Sequence, residues 1–253
     1  MYTLSGFAVG AIVGVTGVGG GSLMTPLLVL IFGVAPATAV GTDLLYAAFT
    51  KSGGAWVHAR RGGVDWRLVS LLACGSIPTS LATILAIHLL ALDTNAIGPI
   101  ITRTLGAALI LTALSIVFRE NIRRWAARRL GFGAAGAPRH YVVLTGAILG
   151  LLVTVSSVGA GALGVTALML LAPALATSRI VGTDIAHAVP LTLVAGLGHA
   201  TTGSVNWVLL GSLLVGSLPG IWLGSHISHR LPDRVLRGFL ATLLVLIGVK
   251  LVW

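Results

Sequence analysis

Residues 41–78 of this chain recur about 141 positions later, in the second half of the sequence. The tripeptide Gly41-Thr42-Asp43 returns at 182–184, and a glycine-rich run at 18–21 returns, one residue out of step, at 158–161. The other residues that return are His58, Val64, Trp66, Gly75, Ser76 and Pro78, as His199, Val205, Trp207, Gly216, Ser217 and Pro219. We expect both halves to adopt the same local structure. Duplicated membrane spans with glycine-rich breaks are typical of secondary transporters.

The composition places this duplication in a membrane. Only 9% of the 253 residues are charged, 56% are hydrophobic, and the mean hydropathy is +1.02. Apolar runs of about 20 residues, the length that spans a bilayer as a helix, recur along the whole chain. The sequence therefore predicts an all-α polytopic membrane protein. Its apolar N-terminal stretch lacks a basic region, so we expect no cleaved signal peptide.

Charge and motifs exclude several other classes. The formal charge of +10 comes from basic residues in short loops between apolar runs, where orientation in the bilayer explains them, so nucleic acid is not an expected partner. The single cysteine, Cys74, excludes an intramolecular disulfide and a cysteine-rich metal site. No HExxH, Walker or Ser-His-Asp pattern is present in the sequence. We predict that the chain is not an enzyme and needs no metal or cofactor.

Eight apolar segments are predicted, at 4–33, 36–58, 66–90, 96–118, 141–172, 176–199, 205–226 and 235–252. The long polar connection 119–140 separates a first repeat at 1–118 from a second at 141–253. This cytoplasmic linker is rich in arginine and carries Arg119, Arg123, Arg124, Arg128, Arg129 and Arg139. We expect its first part, 119–130, to form a short amphipathic helix on the membrane surface.

The first segment of each repeat is too long for a single straight span. A helix of about 30 residues extends roughly 45 Å, against a hydrocarbon core of about 30 Å. Glycines at 17–21 and at 159–161 also interrupt both segments in the middle and weaken a helix there. Each segment is therefore either a re-entrant hairpin with both ends on one side or a strongly bent full span.

The distribution of basic residues favours the hairpins. If all eight segments span the bilayer, ten basic residues lie on the cytoplasmic side and four outside. If the first and fifth segments are hairpins, thirteen lie inside and only Lys250 lies outside. The positive-inside rule prefers the second arrangement, which makes the two repeats inverted, each with three true crossings.

The two glycine-rich breaks are the first candidate binding site. Unwound backbone at membrane depth is tolerated where protein or water surrounds it, and the N-terminus of a following half-helix suits an anion. The alternative role for these small residues is close helix packing. The predicted substrate-binding backbone comprises Gly19, Gly20, Gly21, Ser22, Gly159, Ala160 and Gly161.

Five side chains are predicted to assist. Thr42 and Thr183 are expected near the substrate, and Lys51, whose counterpart is Thr192, is expected either to contact an anion or to form a structural ion pair. Asp43 and Asp184 are candidates for proton coupling, with helix capping or bracing as the alternative. The histidines at 58, 187 and 199 are interpreted as helix-packing or interfacial groups, with proton transfer as the other option.

The motifs around these residues resemble the opening signature of the TauE/SafE family. The likeness rests on Gly14–Gly21, Pro26-Leu27-Leu28, Ala39–Asp43 and the second copy at Val181–Asp184, and it extends over essentially the whole chain. The resemblance implies a permease of the bacterial inner membrane that exports sulfite or an organosulfonate. The second repeat departs from the pattern because Ala160 and Ala162 replace a glycine and a serine of the first break.

The sequence thus predicts a secondary transporter of small anions, with its substrate between the two breaks near the middle of the membrane. An anion channel of the same architecture and a non-transporting membrane scaffold subunit are the alternatives. The expected partners are the lipid bilayer, the small anionic substrate and, as an open option, a second copy of the chain in a homodimer.

Overall fold

The computed structural model describes residues 2–16, 21–89, 94–129, 136–228 and 233–253, and this part of the chain contains helices and no strands. The first half forms α1 (Tyr2–Thr16), α2 (Gly21–Leu30), α3 (Pro36–Arg60), α4 (Trp66–Leu89) and α5 (Thr94–Arg129). The second half forms α6 (Arg139–Ser156), α7 (Ala162–Leu171), α8 (Thr177–Thr201), α9 (Trp207–Ser228) and α10 (Asp233–Val252). The predicted all-α class is confirmed.

The helices follow the predicted segments closely, and the first and fifth segments are each divided into two helices at the glycine-rich break. In the described residues, five stretches are long and apolar enough to cross a membrane: Trp66–Leu89, Gly98–Ile122, Arg139–Ser156, Thr177–Thr201 and Trp207–Gly224.

The predicted surface helix at 119–130 is wrong. Helix α5 continues without interruption through 119–129, because no glycine or proline follows Phe118 in that stretch and its arginines are good helix formers. An ion pair of 3.9 Å between Glu120 and Arg124, one turn apart, lies on this extension.

The two ends of each broken segment meet. The ring of Tyr2, at the start of α1, lies 5.0 Å from the ring of Phe32, just after α2. In the second half, the N–H of Ala137 before α6 donates to the carbonyl of Leu171 at the end of α7, at 2.6 Å. The two ends of each broken segment therefore lie close together, as a hairpin requires, and the inverted arrangement of the two halves stays a prediction.

Each hairpin packs on the other half of the molecule. Helix α1 lies parallel to α9, and α6 lies parallel to α4. Glycine permits this approach: a Cβ at Gly75 would lie 1.9 Å from the carbonyl oxygen of Val143, and one at Gly216 would lie 1.9 Å from that of Thr3. The same contact is made twice, at matched positions, so the first helix of each half is fixed against the other half.

Helices α3 and α8, the second segments of the two halves, form the centre of the molecule. Gly41, near the start of α3, lies against His199 near the end of α8, and Gly182, near the start of α8, lies against His58 near the end of α3. The two helices therefore run antiparallel. Nearly all of the first half of α3 is buried, which places the Gly-Thr-Asp motif in the interior.

Candidate functional site

The backbone of the break in the second hairpin has positive φ angles, two of them at glycines. Helix α6 ends at Ser156, and three residues that follow have positive φ: Ser157 (58°), Gly159 (123°) and Gly161 (147°). Glycine adopts the last two conformations readily because it lacks a Cβ. Of the first four N–H groups of α7, that of Gly164 donates to the carbonyl of Gly159 and that of Val165 to the carbonyl of Gly161. Gly161 provides no side-chain cap, so among the described residues the N–H groups of Ala162 and Leu163 are left to face the break.

The break in the first hairpin lies largely outside the described residues. Gly19 and Gly20 are among the positions that the structure does not describe. Gly21 and Ser22 form the start of α2. The binding role predicted for all four stays a prediction.

Asp43 is fully buried and joins the two hairpins. Its Oδ2 accepts hydrogen bonds from Oγ1 of Thr25 on α2, at 2.5 Å, and from Oγ of Ser157 in the second break, at 2.9 Å. Its Oδ1 has no partner among the described residues. Because α3 begins at Pro36, Asp43 lies in the third turn of the helix, and the alternative of a helix cap is wrong.

Asp184 occupies the matched position in α8 but has a different environment. It is buried, and within the described part of the chain its carboxylate accepts no hydrogen bond. Its Oδ1 lies against the backbone of α7, where a Cβ on Gly164 would approach it to 1.8 Å. Since α8 begins at Thr177, a capping role is wrong here as well. A buried carboxylate without donors is costly and marks a functional candidate.

Lys51 connects the carboxylates to the second break. Its Nζ donates to the carbonyl of Ala160 at 2.5 Å, and it lies close enough to Asp43 and Asp184 to interact with both electrostatically. Thr192, its counterpart in the second half, bonds only to carbonyls of its own helix, at 188 and 189. The ammonium is therefore present in the first half and has no counterpart at the matched position of the second half.

Thr42 and Thr183 bind backbone rather than open space. The hydroxyl of Thr42 accepts the N–H of Asn206 at 3.1 Å, and that of Thr183 accepts the N–H of Asp65 at 2.9 Å. Asn206 and Asp65 cap α9 and α4 through their own side chains. Each threonine thus braces its helix against the third segment of the other half, and a role in contacting substrate is left without an observation in its favour.

Two of the histidines also take part in helix packing. His187 Nε2 lies 2.8 Å from Oγ of Ser76 on α4, and His199 Nε2 lies 2.9 Å from the carbonyl of Thr154 on α6. Sequence reasoning missed the contact of Thr25 with Asp43. The recurrence of Thr25 as Thr166, at the spacing of the repeat, was the available signal.

Comparisons with known proteins relate the chain to membrane transporters. Residues 2–251 match the family described as Sulfite exporter TauE/SafE. The probable membrane transporter protein YjnA of Bacillus subtilis (strain 168) is 40% identical over 98% of both chains, and YdhB of the same organism, also described as a probable membrane transporter protein, is 28% identical over 91% of both. No solved structure matches the chain. With its apolar spans and this match over nearly its full length, the chain belongs to the sulfite exporter TauE/SafE family and is a multi-pass membrane protein of the transporter class.

Proposed function

We propose that this protein is a secondary transporter that exports a small anion, sulfite or an organosulfonate, from the cytoplasm. The observation that carries the proposal is the position of Lys51, whose ammonium binds a backbone carbonyl inside the second break and faces two buried carboxylates. The description of the family supports the choice of a sulfur oxyanion.

The binding step follows from these contacts. An oxyanion that enters the break replaces the carbonyl of Ala160 as the partner of Lys51, which exchanges a neutral acceptor for a charged one. The N–H groups of Ala162 and Leu163, which have no acceptor among the described residues, then donate to the same anion, and the positive end of the helix dipole favours it. The left-handed backbone at Gly159 and Gly161 holds these donors in place.

The carboxylates provide a route to proton coupling. One ammonium and two ionised carboxylates carry a net negative charge, which repels an anion in a medium of low dielectric constant. A proton on one carboxyl group removes that repulsion. Asp184 suits this role better than Asp43, because no hydrogen bond in the described residues holds it in its charged form.

The driving force for export is available without coupling. In a membrane with a negative interior, an anion is driven outward by ~2.3 kcal/mol per charge per 100 mV. The antiparallel arrangement of α3 and α8 supports the inverted-repeat prediction, in which the two halves exchange roles between an inward-open and an outward-open state.

Counterflow in proteoliposomes tests the carrier. Labelled sulfite or methanesulfonate is added outside vesicles that are preloaded with unlabelled sulfite, sulfonates or chloride. We expect trans-stimulated uptake by sulfur oxyanions, which is lost in Lys51→Ala and retained in Lys250→Ala, a change to an exposed lysine near the C-terminus. Uptake that ignores the preloaded anion indicates a channel, and no uptake of any anion indicates a non-transporting subunit.

The orientation of the hairpins has its own test. Ser178 is exposed at the same end as the arginine-rich connection, and Ser178→Cys in a Cys74→Ser background provides a single labelling site. We expect a membrane-impermeant maleimide to label it only from the cytoplasmic side. Labelling from the outside contradicts the topology.

A further inference from the structure

A second site with the properties of an anion pocket lies away from the central carboxylates. A pocket of about 210 Å³ opens where the connections after α3, before α6 and after α7 meet. Its wall combines charged and apolar side chains, among them Asp65, Arg67, Leu68, Leu71, Arg139 and Leu175. Two exposed arginines therefore line it beside an apolar surface.

The positive charge of this pocket is not neutralised locally. Asp65 is its only carboxylate among the lining residues, and it is already engaged: Oδ2 lies 3.7 Å from Nη2 of Arg179, and Oδ1 caps α4. In the described part of the chain, neither Arg67 nor Arg139 forms an ion pair. An anion in the pocket would give both a partner.

A comparison of the two halves shows that the helix packing of the repeat does not depend on the charge of Arg67. The apolar wall is duplicated in part, since Leu68 recurs as Leu209 and Leu171 has its counterpart in Leu30, whereas Ser212 stands at the position that matches Leu71. The charge is not duplicated, since Val208 stands at the position that matches Arg67. Packing of the repeat therefore does not require the arginine.

We propose that this pocket binds an organic anion with a short apolar tail. The anionic group lies between Arg67 and Arg139 in bidentate contact with the guanidinium groups, and the tail lies on Leu68, Leu71 and Leu175. The binding is independent of the proposed transport. Its role, the capture of the anion on the cytoplasmic side before it moves to Lys51, rests on the proposed function.

The test is equilibrium binding of 1-butanesulfonate and methanesulfonate to the full chain in nanodiscs of neutral phosphatidylcholine, measured by calorimetry. We expect saturable binding that is about ten-fold or more tighter for butanesulfonate, because its longer tail buries more apolar surface. Arg67→Gln and Arg139→Gln should each weaken it about ten-fold, and Arg61→Gln, an exposed arginine at the same end, should not change it. Equal affinity for both sulfonates, or no effect of the two pocket variants, overturns the proposal.

Two further experiments identify the source of the anion and distinguish the proposed pocket from the proposed transport function. If nanodiscs that contain phosphatidylglycerol abolish butanesulfonate binding, the pocket takes a lipid headgroup and the assignment to a free anion is overturned. Lys51→Ala should keep binding at the pocket. Butanesulfonate binding without counterflow refutes the proposed function alone, whereas counterflow with no effect of Arg67→Gln on butanesulfonate binding refutes the pocket alone.

Discussion

The two halves of this protein share a frame and differ in the site that the frame encloses. Thr42 and Thr183 make the same brace at matched positions, and Gly75 and Gly216 make the same close helix contact. The two aspartates are duplicated as well, but the ammonium of Lys51 corresponds to a hydroxyl at 192. Residues that fix helix positions are therefore shared by the two halves, whereas the ammonium and the hydrogen-bond partners of the aspartates differ between them.

The two aspartates show what the difference means. Asp43 is bound by two hydroxyl groups from two hairpins, whereas Asp184 has no hydrogen-bond donor in the described residues. The same side chain at equivalent positions therefore has two roles. Asp43 links the two hairpins through hydrogen bonds, and Asp184 is the candidate proton carrier. The role of each aspartate is decided by the groups around its carboxylate and not by its position in the repeat.

The largest expected effect comes from making the two halves alike at the charged position. Lys51→Thr introduces the residue of the second half and should lower the transport rate by about 100-fold, since a hydrogen bond from the ammonium to the bound anion contributes up to about 3 kcal/mol. Thr192→Ala is the matched control and should keep the rate within about two-fold of the wild type, because its hydroxyl bonds only within α8. Initial rates of counterflow measure both. Equal losses would mean that the charge is not the relevant difference.

The shared frame predicts equal damage from its two glycines. Gly75→Ala and Gly216→Ala each place a methyl group against a carbonyl of the neighbouring helix, and each should cost about 1–3 kcal/mol of stability. Gly211→Ala on α9 has open space around it and should leave the melting temperature unchanged or raise it. Thermal unfolding in detergent measures all three. Damage in only one half would contradict the common frame.

Replacing the two aspartates should affect the stability of the protein differently. Asp43→Ala leaves the hydroxyls of Thr25 and Ser157 without their acceptor and should cost about 1–3 kcal/mol. Asp184→Ala removes a buried carboxylate that has no donor, so the melting temperature should be unchanged or higher. The same unfolding assay compares them. A larger loss of stability in Asp184→Ala than in Asp43→Ala would reverse the two roles, with Asp184 as the structural link and Asp43 as the proton carrier.

The smallest effect is expected at the braces. Thr42→Val and Thr183→Val each remove one acceptor for a backbone N–H and should cost about 1 kcal/mol apiece. Thr242→Val, an exposed threonine that bonds only to the carbonyl of Gly238 on α10, serves as the control. Transport by both brace variants should persist. Loss of sulfite binding in either variant with an unchanged melting temperature would restore the predicted substrate contact.

Sequence patterns predicted most of the fold. The eight apolar segments, the division of the first and fifth into two helices each, and the meeting of the two ends of each divided segment follow from length, glycine content and basic residues. They fail at 119–129, where the change from apolar to charged residues predicts the end of a helix. Helix propensity does not change there, so α5 continues beyond the apolar part.

The candidate site was predicted less completely. Buried charge in an apolar sequence was enough to single out Asp43, Lys51 and Asp184, because such residues are costly in a membrane. The partners of these groups could not be predicted, since Thr25, Ser157 and Ala160 are distant in sequence and are ordinary residue types. Thr42 and Thr183 were expected near the substrate because they adjoin the aspartates, but adjacent residues on a helix point in different directions.

By itself, the sequence determined that this chain lies in a membrane, that it is built twice, and that each copy contains one interrupted segment and buried ionisable groups. These properties follow from composition and spacing, which act locally along the chain. The tertiary structure alone decided that Asp43 holds the two hairpins together and that Lys51 enters the second break. The physical reason is that a hydrogen bond between residues 114 positions apart depends on how whole helices pack, which no local pattern specifies.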